Sequence, residues 1–296
     1  MGTRWPKKTA YADEEDIFYC YRLFLNREPD EAGFATFKSL VQGGQFPLQT
    51  LVFHFVESDE YKSLKAREFR EISCRISGID LKAFDDYYSA SSEVTIRELE
   101  ADLYRVSEID FEEGDIVIDI GAYIGLFSML LAKKHPNIMI YAFEPVSINF
   151  RNLVRGIEAN GIRNVRAFQL AVTADGRELE MLYSHSFTGG STTLEIQKEN
   201  ISSAHLVEKV ASRTLDQIFT EFGIDRCKLL KIDCEGSEYE ILYSTRNLSR
   251  ISHIRGEFHM NKTLAAKGYS IEGLVEYLSR SIPRENIYYV PSRMSD

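Results

Sequence analysis

The stretch Leu230-Lys-Ile-Asp-Cys-Glu-Gly-Ser-Glu238 sets three carboxylates, Asp233, Glu235 and Glu238, on one turn at the end of an apolar run. Acids that close together raise one another's pKa unless a cation or hydrogen-bond donors answer them, so the group marks a place built for a positively charged or hydrogen-bonding partner. Asp233 and Glu235 can face a cationic ligand or the acceptor of a reaction, or, with Glu238, bind Mg²⁺ or Ca²⁺ through hard oxygen ligands. For Glu238 the simpler role is that of a first-turn acid favoured by the helix dipole. Further on, Ile254-Arg-Gly-Glu-Phe-His259 ends with an acid and a histidine. His259 is the expected general base, because an ordinary imidazole titrates near working pH, and Glu257 can orient it or bind the acceptor; a structural histidine is the alternative.

A second constellation lies upstream. Ile116-Val-Ile-Asp-Ile-Gly-Ala-Tyr-Ile-Gly125 reads as a buried strand and a glycine turn, and Leu126 to Ala132 supplies good helix formers. In an open α/β sheet a ligand then lies at the helix N-terminus, outside the carboxyl ends of the strands. The spacing Asp119-x-Gly121-x-x-x-Gly125 is neither the Gly-x-Gly-x-x-Gly of dinucleotide folds nor a triphosphate loop. Glu144-Pro145 closes the next strand, Ile138 to Phe143, where an acid can accept both hydroxyls of a ribose. The tip of a third strand, Val165 to Val172, puts Leu170, Ala171 and Val172 where an adenine edge would lie. The polar, glycine-bearing stretch Ser184 to Thr193 is expected to be a mobile loop over the substrate.

These residues need an alternation of strands and helices to hold them, and residues 111–296 supply it, with further strands at 178–183, 227–232, 254–259 and 287–290. Residues 1–12 are expected to be a flexible lead-in and 13–62 a small helical domain of three short helices. Residues 63–110 are expected to be a charged connector with covering helices, helical from Leu64 to Ile76 and from Glu93 to Tyr104. There Tyr87 and Tyr88 pack in the core or line a pocket.

With 45 acidic and 35 basic residues the net charge is −10, which argues against a phosphate-backbone partner and hence against nucleic acid. No stretch approaches the roughly 20 apolar residues of a membrane helix, and no apolar signal core follows the N-terminus, so a cytoplasmic protein without membrane insertion is expected. Cys20, Cys74, Cys227 and Cys234 have no metal-ligand spacing and read as free thiols.

Taken together, Val117-Ile-Asp-Ile-Gly-Ala-Tyr-Ile-Gly125, Ala142-Phe-Glu-Pro145, Leu230 to Glu238 and Glu257-Phe-His259 resemble the FkbM family of S-adenosylmethionine-dependent methyltransferases. The resemblance implies a seven-stranded class I methyltransferase (Rossmann-like) sheet. It also implies methyl transfer to a hydroxyl, often of a sugar in a glycan or glycolipid or of a secondary metabolite. By it Asp119, Gly121 and Gly125 match the motif that holds the methionine portion and Glu144 matches the ribose acid. The full cofactor set expected is Asp119, Gly121, Ala122, Tyr123, Gly125, Glu144, Pro145, Ala171 and Asp233, with His259, Asp233, Glu257 and Glu235 as the catalytic set. Tyr123 departs from the family, whose members commonly carry Asn there. Two other classes stay open: a nicotinamide-dependent oxidoreductase, and a noncatalytic glycan-associated scaffold. Separately, Tyr21 to Gly33, Leu40 to Gly44 and Phe55 to Tyr61 resemble a short helical domain of unassigned function found in bacterial surface-layer, glycan-related and methyltransferase-associated proteins. In it Arg27, Asp30 and Gly33 are expected to be structural.

Overall fold

The computed structural model describes residues 11–25, 27–58, 60–61, 69–86, 89–184, 187–193 and 206–293. Most of the expected lead-in, the pair Tyr87-Tyr88, and His185 and Ser186 lie outside the described residues. The chain divides into two units, Met1–Glu68 and Phe69–Asp296.

In the first unit, helices α1 (Glu14–Leu25), α2 (Glu31–Val41) and α3 (Leu48–Val56) bury Ile17, Cys20, Tyr21, Leu25, Val41, Leu51 and Phe55 together. Asp30 caps α2 by accepting from the Gly33 amide at 2.8 Å. Arg27 ties this turn down, donating to Asp30 at 3.1 Å and to both oxygens of Glu60 at 2.6 and 2.9 Å, with its guanidinium over the Tyr21 ring. Gly33 has no room for a side chain, since a Cβ would stand 2.0 Å from the Tyr21 hydroxyl.

The second unit begins with an antiparallel hairpin, β1 (Phe69–Ile76) and β2 (Ile79–Asp86), where a helix is expected from Leu64 to Ile76. The reason is local: Ile72, Cys74 and Ile76 alternate inward against exposed Glu71, Ser73 and Arg75, the strand period. Ser77-Gly78 then turns with both residues at positive φ, the geometry of a two-residue hairpin loop. Helix α4 (Ser91–Glu100) follows.

The central sheet is made of β3 (Ile116–Ile120), β4 (Met139–Phe143), β5 (Val165–Phe168), β11 (Cys227–Ile232), β12 (Ile251–Met260) and β13 (Ile287–Arg293). Their order is β13-β12-β11-β3-β4-β5 and every pairing is parallel. The sheet therefore has six strands among the described residues and not the expected seven. After β12 the chain forms helices α9 (Lys262–Ala266) and α10 (Ile271–Leu278) and returns once, as β13. The strand-forming residues between β5 and β11 go into two small sheets: β6 (Ala171–Thr173) with β10 (Ser212–Thr214), and β7 (Leu179–Ser184) between β8 (Phe187–Thr193) and β9 (Leu206–Val210). The expected third strand accordingly ends at Phe168. Residues 187–193 of the expected loop are strand β8.

Parallel strands need cover on both faces, and alternate residues of β3 and β11 provide it. Ile118, Ile120, Leu230 and Ile232 pack on one side with Phe219 of α7 (Leu215–Glu221), Tyr239 of α8 (Glu238–Ser244) and Leu274 of α10. Val117 and Leu229 pack on the other with Leu126 and Met129 of α5 (Leu126–Lys134) and Leu153 of α6 (Ser147–Ala159). From β3 the sheet grows one way through β4 and β5, and the other way through β11, β12 and β13. The order reverses between β3 and β11, the place where open α/β sheets leave a crevice at their carboxyl ends. No described helix is long and apolar enough to cross a membrane.

Candidate active site

A cavity of about 530 Å³ opens at that reversal point. Its floor is the glycine turn after β3, where the amides of Gly121 and Ala122 both donate to the Phe143 carbonyl. Gly121 stands at φ +78°, and a Cβ on it would lie 1.8 Å from the Asp233 carbonyl oxygen, so only glycine lets the β3 and β11 turns meet. Tyr123 holds a left-handed φ of +53° on the cavity wall. Its hydroxyl donates to buried Asp85 at 2.8 Å, which fastens the β2 end of the hairpin to the cradle. Gly125, at φ +81°, makes room for Leu153 of α6 and does not line the cavity.

Glu144 sits buried at the tip of β4. Its Oε2 accepts from the Tyr123 amide at 2.9 Å, and its Oε1 accepts from the Val146 amide at 3.0 Å and Asn149 Nδ2 at 3.2 Å. Burial pushes its carboxyl up to about 7 against the pull of these donors. Pro145, Leu170, Ala171 and Val172 line the cavity beside it.

The opposite end is acidic. Asp233, Glu235, Glu257 and His259 all line the cavity, and Glu98 of α4 faces them. His259 is 3% exposed; its Nδ1 lies 3.0 Å from Glu238 Oε1, while its Nε2 lies 3.5 Å from both Glu235 Oε2 and Glu257 Oε2. Burial works to lower the imidazole, but Glu238 and then Glu235 and Asp233 outweigh it and hold it at about 10. With these carboxylates holding it protonated, His259 is set up as a hydrogen-bond donor in the ion-free cavity and not as the proton acceptor expected of it. Burial raises Glu235 to about 8 and Glu257 to about 7. Glu238, fully buried, also accepts from the amides of Cys234 at 3.0 Å and Gly236 at 3.1 Å, which serves the first-turn role expected of it. Glu235 is held at φ +52°, a left-handed conformation that costs roughly 1–2 kcal/mol in a non-glycine residue. Its carbonyl accepts from the Thr192 hydroxyl of β8 at 2.8 Å. Gly189 of the same strand donates to Ser91 Oγ of α4 at 3.1 Å, so β8 roofs the cavity.

Asp119 is placed elsewhere. It is fully buried beneath the floor, accepting from Ser128 at 2.7 Å and standing 3.3 Å from Lys231 Nζ. Lys231 is the residue that joins both halves, and sequence reading passed over it. It lies opposite Asp119 in the register of β11 and β3, donates to the Gly121 carbonyl at 2.7 Å and stands 3.8 Å from Asp233. Burial favours its neutral form, but Asp119 and Asp233 more than offset this and keep it an ammonium. Its place in the otherwise apolar run Leu229 to Ile232 was the available signal. Tyr104, whose hydroxyl donates to Asp233 Oδ2 at 3.1 Å, had none.

The sequence profile of the family described as "Methyltransferase FkbM domain" matches residues 119–281, more than half of the chain. Over 185 residues the chain is 24% identical to "Methyltransferase 1" of Beauveria bassiana, a match covering 54% of this chain and 74% of that protein. It is 27% identical over 176 residues to "31-O-demethyl-FK506 methyltransferase FkbM" of Streptomyces tacrolimicus, covering 51% and 68%. It is 24% identical over 172 residues to "Hexuronic acid methyltransferase AglP" of Haloferax volcanii, covering 55% and 65%.

Proposed function

From the premise that this chain belongs to the FkbM methyltransferase domain family, we propose that it transfers a methyl group from S-adenosylmethionine to a hydroxyl of a sugar or secondary metabolite. The observation that carries this reading is that one cavity holds, at one end, a glycine cradle beside a buried ribose-type acid and, at the other, a cluster of carboxylates around a histidine. The residues present fit the cofactor. Glu144 keeps an Oε2 lone pair for a ribose hydroxyl, the Gly121-Ala122 turn lines the cavity beside it, and Leu170 and Val172 offer an apolar wall to a base. S-adenosylmethionine, when bound, supplies an electrophilic methyl on a sulfonium. The chain's work is to align an acceptor oxygen with it and take up the acceptor's proton.

Lys231 does the first part of that work by fixing the Gly121 carbonyl and Asp233 with a single ammonium, which sets the distance between the two ends. Strand β8 keeps water out from above. Glu257 Oε2, on the cavity wall and beside the His259 cation, takes the hydroxyl proton. Asp233 and Glu235 accept hydrogen bonds from the acceptor's other hydroxyls. The names of the relatives from S. tacrolimicus and H. volcanii support a hydroxyl or sugar acceptor.

Calorimetric titration of the full chain with S-adenosylmethionine and S-adenosylhomocysteine tests the cofactor, with Glu144→Ala as control. Binding that the substitution abolishes is the expected outcome; no binding in a folded sample overturns the reading. Transfer of labelled methyl to a panel of glycosides tests the acceptor. Glu257→Gln is expected to lower kcat by about 10²- to 10⁴-fold, the usual contribution of a general base.

A further inference from the structure

We propose that Asp233, Glu235 and His259 bind one divalent cation of the Mn²⁺ type, which presents the acceptor hydroxyl to the cofactor end of the cavity; this rests on the methyl-transfer reading above. One donor atom from each of the three residues can be chosen so that all lie within 4.8 Å of one another. The gap between His259 Nε2 and Glu235 Oε2 is 3.5 Å. That is long for an N–H···O bond. It suits two ligands each about 2.1 Å from one ion and about 110° apart, which stand roughly 3.4 Å from each other.

The second observation is how the imidazole is aimed. His259 is more than nine-tenths buried, its Nδ1 is bound to Glu238, and its Nε2 points at the cavity with no acceptor closer than the two carboxylates at 3.5 Å. Glu238 is itself fixed by two backbone amides. With Nδ1–H donated to Glu238, the ion displaces the Nε2 proton to solvent and takes the lone pair so freed, the carboxylate–histidine–metal arrangement that orients metal ligands. The Tyr104 hydroxyl steadies Asp233 from behind while leaving it lone pairs to give. Two carboxylates balance the ion's charge, and the imidazole favours Mn²⁺ over Ca²⁺. Three protein donors leave the rest of the ion's shell for water and for one or two acceptor hydroxyls, whose pKa the ion lowers.

The test uses the full chain, stripped with EDTA and dialysed, titrated with MnCl₂ by electron paramagnetic resonance, with S-adenosylmethionine binding measured on the same sample. The expected result is one Mn²⁺ per chain, with nitrogen modulation from a single imidazole in the echo spectrum. Glu235→Gln is expected to weaken Mn²⁺ at least tenfold, and Glu238→Gln by about 10- to 100-fold, while S-adenosylmethionine affinity stays within threefold. The nitrogen signature is read on the unsubstituted chain, so a variant that misfolds leaves the question answerable. A chain that binds S-adenosylmethionine but no Mn²⁺, or binds Mn²⁺ without the imidazole signature, overturns the metal site and leaves the methyl-transfer reading standing. A folded chain that binds Mn²⁺ but no S-adenosylmethionine does the reverse.

Discussion

Glu144 shows what one buried carboxyl can do to both binding and stability. In the unfolded chain it titrates near 4.5 and in the folded chain at about 7, because burial penalises its charged form more than three donors favour it. Its contribution to stability is therefore fully present below pH 4.5 and is lost as pH rises through 7. A shift of this size corresponds to about 3 kcal/mol. Glu144→Gln removes the effect, so the stability of the native chain relative to that variant should fall by about this amount between pH 4.5 and pH 8. Urea unfolding of both proteins at the two ends of that range measures it; an unchanged difference would mean the side chain is hydrated. Ribose hydroxyls are received best by the ionised form. S-adenosylmethionine should accordingly bind the native chain more tightly at pH 8 than at pH 6, and calorimetry on the variant should show no such slope.

Strand β8 roofs the cavity and the hairpin β1–β2 is fastened to its cradle through Tyr123, and both elements were hidden in the sequence. Strands β3, β4 and β11 were legible because each is a short, mostly apolar run with an acid at or just past its carboxyl end, and β12 was legible from Ile254 to His259 only. The hairpin carries the strand period and a Ser-Gly turn, but Arg70, Glu71 and Arg75 make the stretch up to Ile76 look like a charged helix. Strand β8 has two glycines and four hydroxyl residues, which read as a loop, and only pairing with β7 makes it a strand. Tyr104 and Glu98 reach Asp233 from other parts of the chain, so no local spacing could have grouped them, whereas Lys231 stands two residues before it. Tyr123 is where the hairpin meets the cradle. Tyr123→Phe removes the bond to the buried Asp85 carboxylate and should cost about 1–3 kcal/mol, with the loss concentrated in the hairpin. Hydrogen exchange is expected to speed up in residues 79–86 while β3 and β11 stay protected; uniform acceleration across the unit would show that the hairpin and the sheet unfold together.

At the scale of the whole chain, the division after Glu68 separates everything that lines the cavity from the three-helix unit. The two hydrophobic clusters flanking the sheet draw only on residues beyond 69, and the helical unit has a cluster of its own. A segment of more than 200 residues buries enough surface to fold as a domain. Residues 69–296 produced alone should therefore unfold in one cooperative transition and bind S-adenosylmethionine within about threefold of the full chain. If the fragment folds and binds but methylates a polymeric acceptor far more slowly than the full chain, with a small glycoside unaffected, the helical unit acts in acceptor capture. If cofactor binding itself falls tenfold or more in a folded fragment, the helical unit supports the cavity, and the division seen in the chain contacts is not a division of labour.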